Sequence, residues 1–412
     1  MATDAWTPAH LRVVLAAFLG WMLDAFDFFL VVFVLEHIAH DFRTDVKSVT
    51  YGIFLTLALR PVGALLFGRV ADRYGRRPAL LASVLSYSAM EFASALAPSL
   101  TAFLVMRALF GVAMGGEWGV GASLAMESIP VRSRGRISGI LQCGYPTGYL
   151  LAGIVYGTTF AHIGWRGMLM LGALPAVLTL YILARVPESP TWAAARTRAR
   201  AITHVPPPSL WASLSGHWRL AIYAIVLMTA MNLFSHGTQD LYPTFLSAQR
   251  GLSRATVAHI SVIYNLGAIC GGLLFGSLSS RIGRRRGIAV ASLLALAALP
   301  FWAYSTSVAA LAVAAFGMQF AVQGAWGVVP VHLNELSPPD LRATFPGVIY
   351  QLGNLLASYN ATLQATLAIA HTGGARPDYA FALTLVCGIV APAIALLAVL
   401  GPERQNVRFA SS

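Results

Sequence analysis

The sequence predicts an all-α membrane protein with twelve transmembrane helices in two six-helix halves. Three observations carry that expectation: an apolar excess, the length of the apolar runs, and a repeat at one fixed offset. Of 412 residues, 57% are hydrophobic and only 11% charged, with a mean hydropathy of +0.68. Soluble chains carry about 25% charged residues, so this much apolar surface needs a solvent other than water. The runs are long enough to be helical spans, which need about 20 apolar residues, whereas a membrane strand needs about 10 alternating ones.

In order, the spans read at roughly 13–38, 47–69, 79–97, 100–126, 136–160, 165–186, 218–247, 256–279, 287–305, 308–334, 343–368 and 378–400. The first holds Asp24 and Asp27 and lacks a small-residue cleavage site, so it reads as a span rather than a cleaved leader. Cys143, Cys270 and Cys387 all fall inside apolar segments, which argues against a disulfide framework. The net charge of +12 raises nucleic acid as a partner. Its placement argues against that, because the arginines cluster in alternate loops: Arg69, Arg73, Arg76 and Arg77; Arg132, Arg134 and Arg136; Arg196, Arg198 and Arg200; Arg281, Arg284, Arg285 and Arg286. This positive-inside pattern puts both termini in the cytoplasm and makes the span count even.

The repeat joins two pairs of loops. "GRVADRYGRR" at 68–77 matches "GSLSSRIGRR" at 276–285, and "ESIPVRSR" at 127–134 matches "ELSPPDLR" at 335–342, both at an offset of 208. Two independent matches at about half the length indicate duplication, with a first half over 1–186, a cytoplasmic linker over 187–217 and a second half over 218–412. Parallel six-span repeats are a transporter architecture, with the binding site at midplane between them.

Ionisable groups at bilayer depth are functional candidates. In "GWMLDAFDFF" on the first span, Asp24 and Asp27 lie one turn apart near mid-depth. Neighbouring carboxylates resist ionising together, which suits proton uptake; the alternative is a pair with an arginine. Arg60 on the second span precedes Asp72 by twelve residues, about 18 Å at 1.5 Å per residue, hence at midplane. Its planar fork suits a substrate carboxylate, or else an aspartate of the first span. Arg107 on the fourth span reads equally as a packing or a proton-path residue, Glu117 as a further proton candidate, and Glu91 and Glu127 as interfacial.

The seventh span contains "NLFSHGTQDLYPT" at 232–244. Asn232, Ser235, His236, Gln239 and Asp240 fall at i, i+3, i+4, i+7 and i+8, one helix face. Such a stripe faces a bundle interior or a water-filled cavity; the bland alternative is interhelical hydrogen bonding. Pro243 is expected to bend the outer end. In the loop signature, Asp72, Arg73, Arg76 and Arg77 read as gating contacts between acids, arginines and helix ends on the cytoplasmic face. Ser280 replaces Asp72 in the second copy, so the first copy is expected to be the stronger gate.

Several of these motifs resemble a known family. "GRVADRYGRR" is similar to the signature between the second and third helices of the major facilitator superfamily. "RALFGVAMGGEWG" at 107–119, "GYPTG" at 144–148 and "PESPTW" at 187–192 resemble its fourth-, fifth- and sixth-helix motifs. The seventh-span stretch fits N-x-x-[ST]-H-x-[ST]-Q-D-x-x-x-T at every specified position. That pattern resembles the Jen-type lactate/pyruvate:proton symporters, grouped with sialic acid carriers in the sialate:proton symporter family; "LDAFDFF" and "FPGVIYQLGN" at 345–354 are similar to the same group. The resemblance implies proton-coupled uptake of short monocarboxylates, and substrate handling by His236, Gln239, Asp240, Arg60 and Gln351. Gln351 rests mainly on it; Gln323 and Asn265 are further polar candidates.

The sequence therefore points to a monocarboxylate:proton symporter of the bacterial inner membrane, working as a monomer. Arg60, Asn232, His236, Gln239 and Gln351 would bind substrate, and Asp24, Asp27, Asp240 or Glu117 would carry the proton. The alternatives are sialic acid, another organic acid or a sugar as substrate, proton-driven efflux, and a carboxylate sensor. An intramembrane hydrolase is disfavoured because Ser235 and His236 point about 100° apart on a helix. No cofactor, metal cluster or phosphate-cradling loop is expected.

Overall fold

The computed structural model describes residues 6–201, 215–373, 376–405, 407 and 409. The Arg200 side chain and the prolines at 206–208 lie outside the described residues. Among those residues, nine helical stretches have the length and hydropathy of a membrane span. One of them, Val131–Arg185, is 55 residues long and turns at Gly164, whose φ of 62° suits glycine. It therefore supplies the fifth and sixth spans. The third span, Arg76–Ala95, is less apolar because it carries Ser83, Ser86, Ser88, Ser94 and Glu91. The eleventh is broken at Ser358 and Tyr359 into Thr344–Ala357 and Asn360–His371. With these the protein is a twelve-helix bundle in two six-helix halves. A helix over Pro190–Ala201 follows the sixth span.

The remaining spans are Pro8–Asp41, Val46–Tyr74, Leu100–Ser128, Trp218–Gln249, Arg254–Ile282, Arg284–Tyr304, Val308–Leu336 and Tyr379–Leu400. Asp24 and Arg60 lie at the midpoints of the first and second spans. The seventh bends where expected: the α-helix ends at Gln239, a short turn covers Tyr242–Thr244, and a π-helical turn covers Phe245–Gln249. Spans two and four meet backbone to backbone. A β-carbon on Gly115 would collide with the carbonyl of Arg60, and one on Gly63 with that of Val112.

The arginine-rich loops form one face of the molecule, where the repeat builds two similar clamps. Arg76 donates from Nε and Nη2 to Glu127 at 3.1 and 2.8 Å; Arg284 donates to Glu335 at 2.9 and 3.2 Å. Glu188 receives the backbone N–H groups of Arg76 and Arg77, and Glu403 those of Arg284 and Arg285, each acid capping a helix start. Glu127 is thus a buried clamp partner at the end of its span, and Ser189 also donates to it.

The two halves are sealed together near this basic face. Asp72 on the second span accepts from Ala343 N (3.0 Å), Thr344 N (3.1 Å) and Thr344 Oγ1 (2.6 Å) at the start of the eleventh. Ser123 Oγ donates to Arg342 O at 2.7 Å, and Val331 N donates to Ser138 Oγ at 3.1 Å. Gly139 and Gly276 bring spans five and eight into backbone contact. The tail then crosses the seam. The Phe409 ring lies 3.7 Å from the guanidinium of Arg134 and 4.4 Å from that of Arg342, repeat-related arginines of opposite halves.

Candidate functional site

At mid-depth the first half presents buried ionisable groups. Asp24 is 2% exposed, Asp27 and Glu117 are 0% exposed, and Arg60 is 5% exposed. Among the described residues, Asp24 Oδ1 and both carboxylate oxygens of Asp27 and of Glu117 have no hydrogen-bond partner in the protein. Glu117 packs against Gly20 of the first span, where any side chain would displace its carboxylate. Asp27 and Glu91 converge on Gly172, whose β-carbon position lies 3.2 Å from Asp27 Oδ1 and 2.5 Å from Glu91 Cγ.

Arg60 makes no ion pair among the described residues, so the alternative of a fixed bond to a first-span aspartate does not hold here. Its Nη2 lies 2.6 Å from Met114 Sδ, and its guanidinium lies 5.3 Å from the centre of the Phe28 ring. Sulfur and a ring face hold the fork in place without neutralising it. Asp24 is within its electrostatic reach. Arg107 behaves differently. It donates to Glu91 at 2.6 Å and to Ser94 Oγ at 2.7 Å, and its guanidinium lies 4.3 Å from the Phe110 ring. Glu91 is fully buried, and the pair ties spans three and four together.

The second half presents the polar stripe. His236 faces Asp240 through Nδ1 at 3.2 Å and Asn354 Oδ1 through Nε2 at 3.1 Å. The His236 and Asp240 side chains remain 30% and 36% exposed, so open space reaches them. Gln239 donates to Gln319 Oε1 at 2.9 Å, and Asn232 Nδ2 donates to its own helix at Met228 O, 2.8 Å. Gln351 is buried on the eleventh span with Oε1 lacking a partner among the described residues. Between the halves lies an aromatic floor: Tyr350 stacks near Trp118 at 4.6 Å between centroids and meets Trp21 at 6.1 Å and Trp326 at 5.7 Å.

Two partners of the stripe, Asn354 and Gln319, were not singled out from the sequence. Asn354 had a usable signal: it follows Gln351 by three residues on one helix face. The 208-residue repeat held another. Asp24 and Asp27 are the repeat counterparts of Asn232 and Ser235, so the acidic and amide stripes occupy matching positions in the two halves.

Among the gate residues, Asp72 also pairs with Arg76 at 3.2 Å, and Arg77 donates to the carbonyls of Ile182 and Leu183 at the end of the sixth span. Arg73 is the exception to the expected pairing. It is exposed, its guanidinium lies 5.4 Å from the Tyr74 ring, and it meets no acid among the described residues.

Comparison with known proteins agrees with this architecture. The sequence profile of the Major Facilitator Superfamily matches residues 17–239 and 240–412. A "carboxylic acid transporter protein homolog" of Saccharomyces cerevisiae is 30% identical over 400 residues, covering 90% of this chain; the chain spans only 65% of that relative's length. The sialic acid transporter NanX of Escherichia coli is 29% identical over 363 residues, covering 86% of this chain and 87% of its own. Among solved structures, the proton:xylose symporter XylE bound to 6-bromo-6-deoxy-D-glucose superposes with a TM-score of 0.74 at 19% identity, over 97% of both chains, a likeness of fold.

Proposed function

The chain belongs to the Major Facilitator Superfamily, a family of transporters, and from that premise we propose that it is a proton-coupled symporter of short monocarboxylates. The observation that carries the proposal is Arg60: a permanent cation at mid-bilayer, 5% exposed, with no carboxylate in direct contact among the described residues, Asp24 acting on it only at a distance. A buried charge without a direct partner costs several kcal/mol. A substrate carboxylate is the natural anion to offset it, and the guanidinium fork suits it bidentately. The names of the yeast and E. coli relatives, a carboxylic acid transporter homolog and a sialic acid transporter, support an acidic substrate.

In the proposed cycle the basic face is cytoplasmic, as the positive-inside pattern requires. Since the halves are sealed at that face while His236 and Asp240 remain accessible, the state described is outward-facing. A carboxylate enters and binds Arg60, and the stripe of Asn232, His236 and Gln239, together with Gln351, reads the rest of the molecule. A proton joins one of Asp24, Asp27, Glu117 or Asp240. The proton makes the co-transported pair electrically neutral, so loading leaves the net charge of the site unchanged and the halves can rock around it. The uncomplexed Arg60 simplifies the first step: no internal ion pair has to break before the carboxylate binds. Asp72, Arg76 and Arg77 then act as the gate, with Asp72 releasing the eleventh span as the cytoplasmic side opens. Transport by a single chain in the bacterial inner membrane completes the proposal. Radiolabelled lactate counterflow, with and without an imposed pH gradient, tests it. Saturable exchange accelerated by an inward proton gradient is expected, and its absence refutes the assignment. Uptake of sialic acid in place of lactate would favour the second reading, suggested by NanX.

A further inference from the structure

The hydrogen-bond donors around Gln239 are committed in one direction. The Thr238 hydroxyl donates to the carbonyls of Phe234 at 2.9 Å and Ser235 at 3.1 Å. While the hydroxyl donates there, its oxygen is left as an acceptor. It receives Gln319 Nε2 at 3.1 Å, and the Thr238 carbonyl lies 3.5 Å from the same nitrogen. Reversing the Gln319 amide would point its oxygen at the Thr238 carbonyl and would require the hydroxyl to give up both helix carbonyls. Gln319 is 2% exposed, so no solvent would relieve that clash. Its Oε1 therefore faces Gln239, and Gln239 must present its NH2 there, at 2.9 Å. The Gln239 carbonyl oxygen is left without a protein partner among the described residues. Asn232 behaves the same way two turns earlier: its NH2 is spent on Met228 O, which leaves Oδ1 free. The seventh span thus offers amide oxygens at Gln239 and Asn232.

We propose that Gln319 is a specificity-determining positioning residue, which fixes the Gln239 amide so that the site prefers a substrate bearing a hydroxyl donor, a 2-hydroxy monocarboxylate, over its 2-oxo analogue. A hydroxyl gives its proton to Gln239 Oε1, whereas a keto oxygen meets an acceptor and leaves it unsatisfied. The inference rests on the proposed carboxylate transport and names the substrate class within it.

The test uses the full chain in proteoliposomes, with initial rates for L-lactate and pyruvate under the same pH gradient. One neutral hydrogen bond corresponds to roughly a fivefold preference, so the wild-type KM for lactate is expected to be about fivefold or more below that for pyruvate. Gln319→Leu and, independently, Thr238→Val free the Gln239 amide to rotate. Both should bring the two KM values together while leaving kcat for pyruvate unchanged, a pattern that general loosening of the bundle would not produce. Equal KM values in the wild type, or an unchanged ratio in either transporting variant, overturn the inference. If Gln319→Leu fails to reach the membrane, Thr238→Val and the wild-type ratio still decide. A wild type that carries neither acid refutes the monocarboxylate assignment itself, a different and recognisable outcome.

Discussion

Asp72→Asn should shift the protein away from its sealed state at the basic face. The carboxylate accepts three hydrogen bonds from the start of the eleventh span, at 3.0, 3.1 and 2.6 Å, and pairs with Arg76 at 3.2 Å. Its side chain is only 7% exposed, so solvent screens little of this. The asparagine keeps the shape and one acceptor oxygen. It loses the charge at a helix N-terminus, about 0.3–1 kcal/mol, and turns charge-assisted bonds of about 1.5–3 kcal/mol into neutral ones of about 0.5–1.5 kcal/mol. Arg76 still holds Glu127, so the loss is confined to the seam between the halves. A net weakening of about 2 kcal/mol changes the ratio of closed to open states by roughly thirtyfold. Spin labels on the basic ends of spans two and eleven would report it as growth of the longer distance. An unchanged distance distribution would refute the gating role of Asp72.

Other expectations follow from the same contacts. Glu91→Ala leaves Arg107 buried and unpaired and should cost about 3–5 kcal/mol, seen as a large fall in melting temperature in detergent. Gly115→Leu forces apart spans two and four at Arg60 and should abolish folding or transport, measured by size exclusion and uptake. Phe409→Ala removes the ring that bridges Arg134 and Arg342 across the halves. It should raise cysteine labelling at the basic face by several-fold without changing the melting temperature by more than a few degrees.

How much was legible in the sequence depended on periodicity and depth. The stripe of Asn232, His236 and Gln239 follows from helical spacing, and Arg60 at midplane from its distance to Asp72. The bend after Gln239 followed from Pro243. Pairings between spans left no such trace. Glu91 and Arg107 are partners only because two neighbouring helices bring them together, and nothing in either segment's period announces it. Gln319 looked like one polar residue in an apolar helix, and its meaning appears only when Gln239 and Thr238 are placed against it. The freedom of Arg60 was likewise invisible, since a nearby aspartate in sequence terms proved to be a neighbour without a bond.

The most direct test is external pH in lightly buffered proteoliposomes when lactate is added to the wild-type protein and to Arg60→Ala and Asp240→Ala. The wild type should alkalinise the outside as protons enter with lactate, and both variants should abolish that signal while remaining folded. Normal alkalinisation by both variants, or lactate entry without any pH change in the wild type, would contradict proton-coupled carboxylate transport through this site.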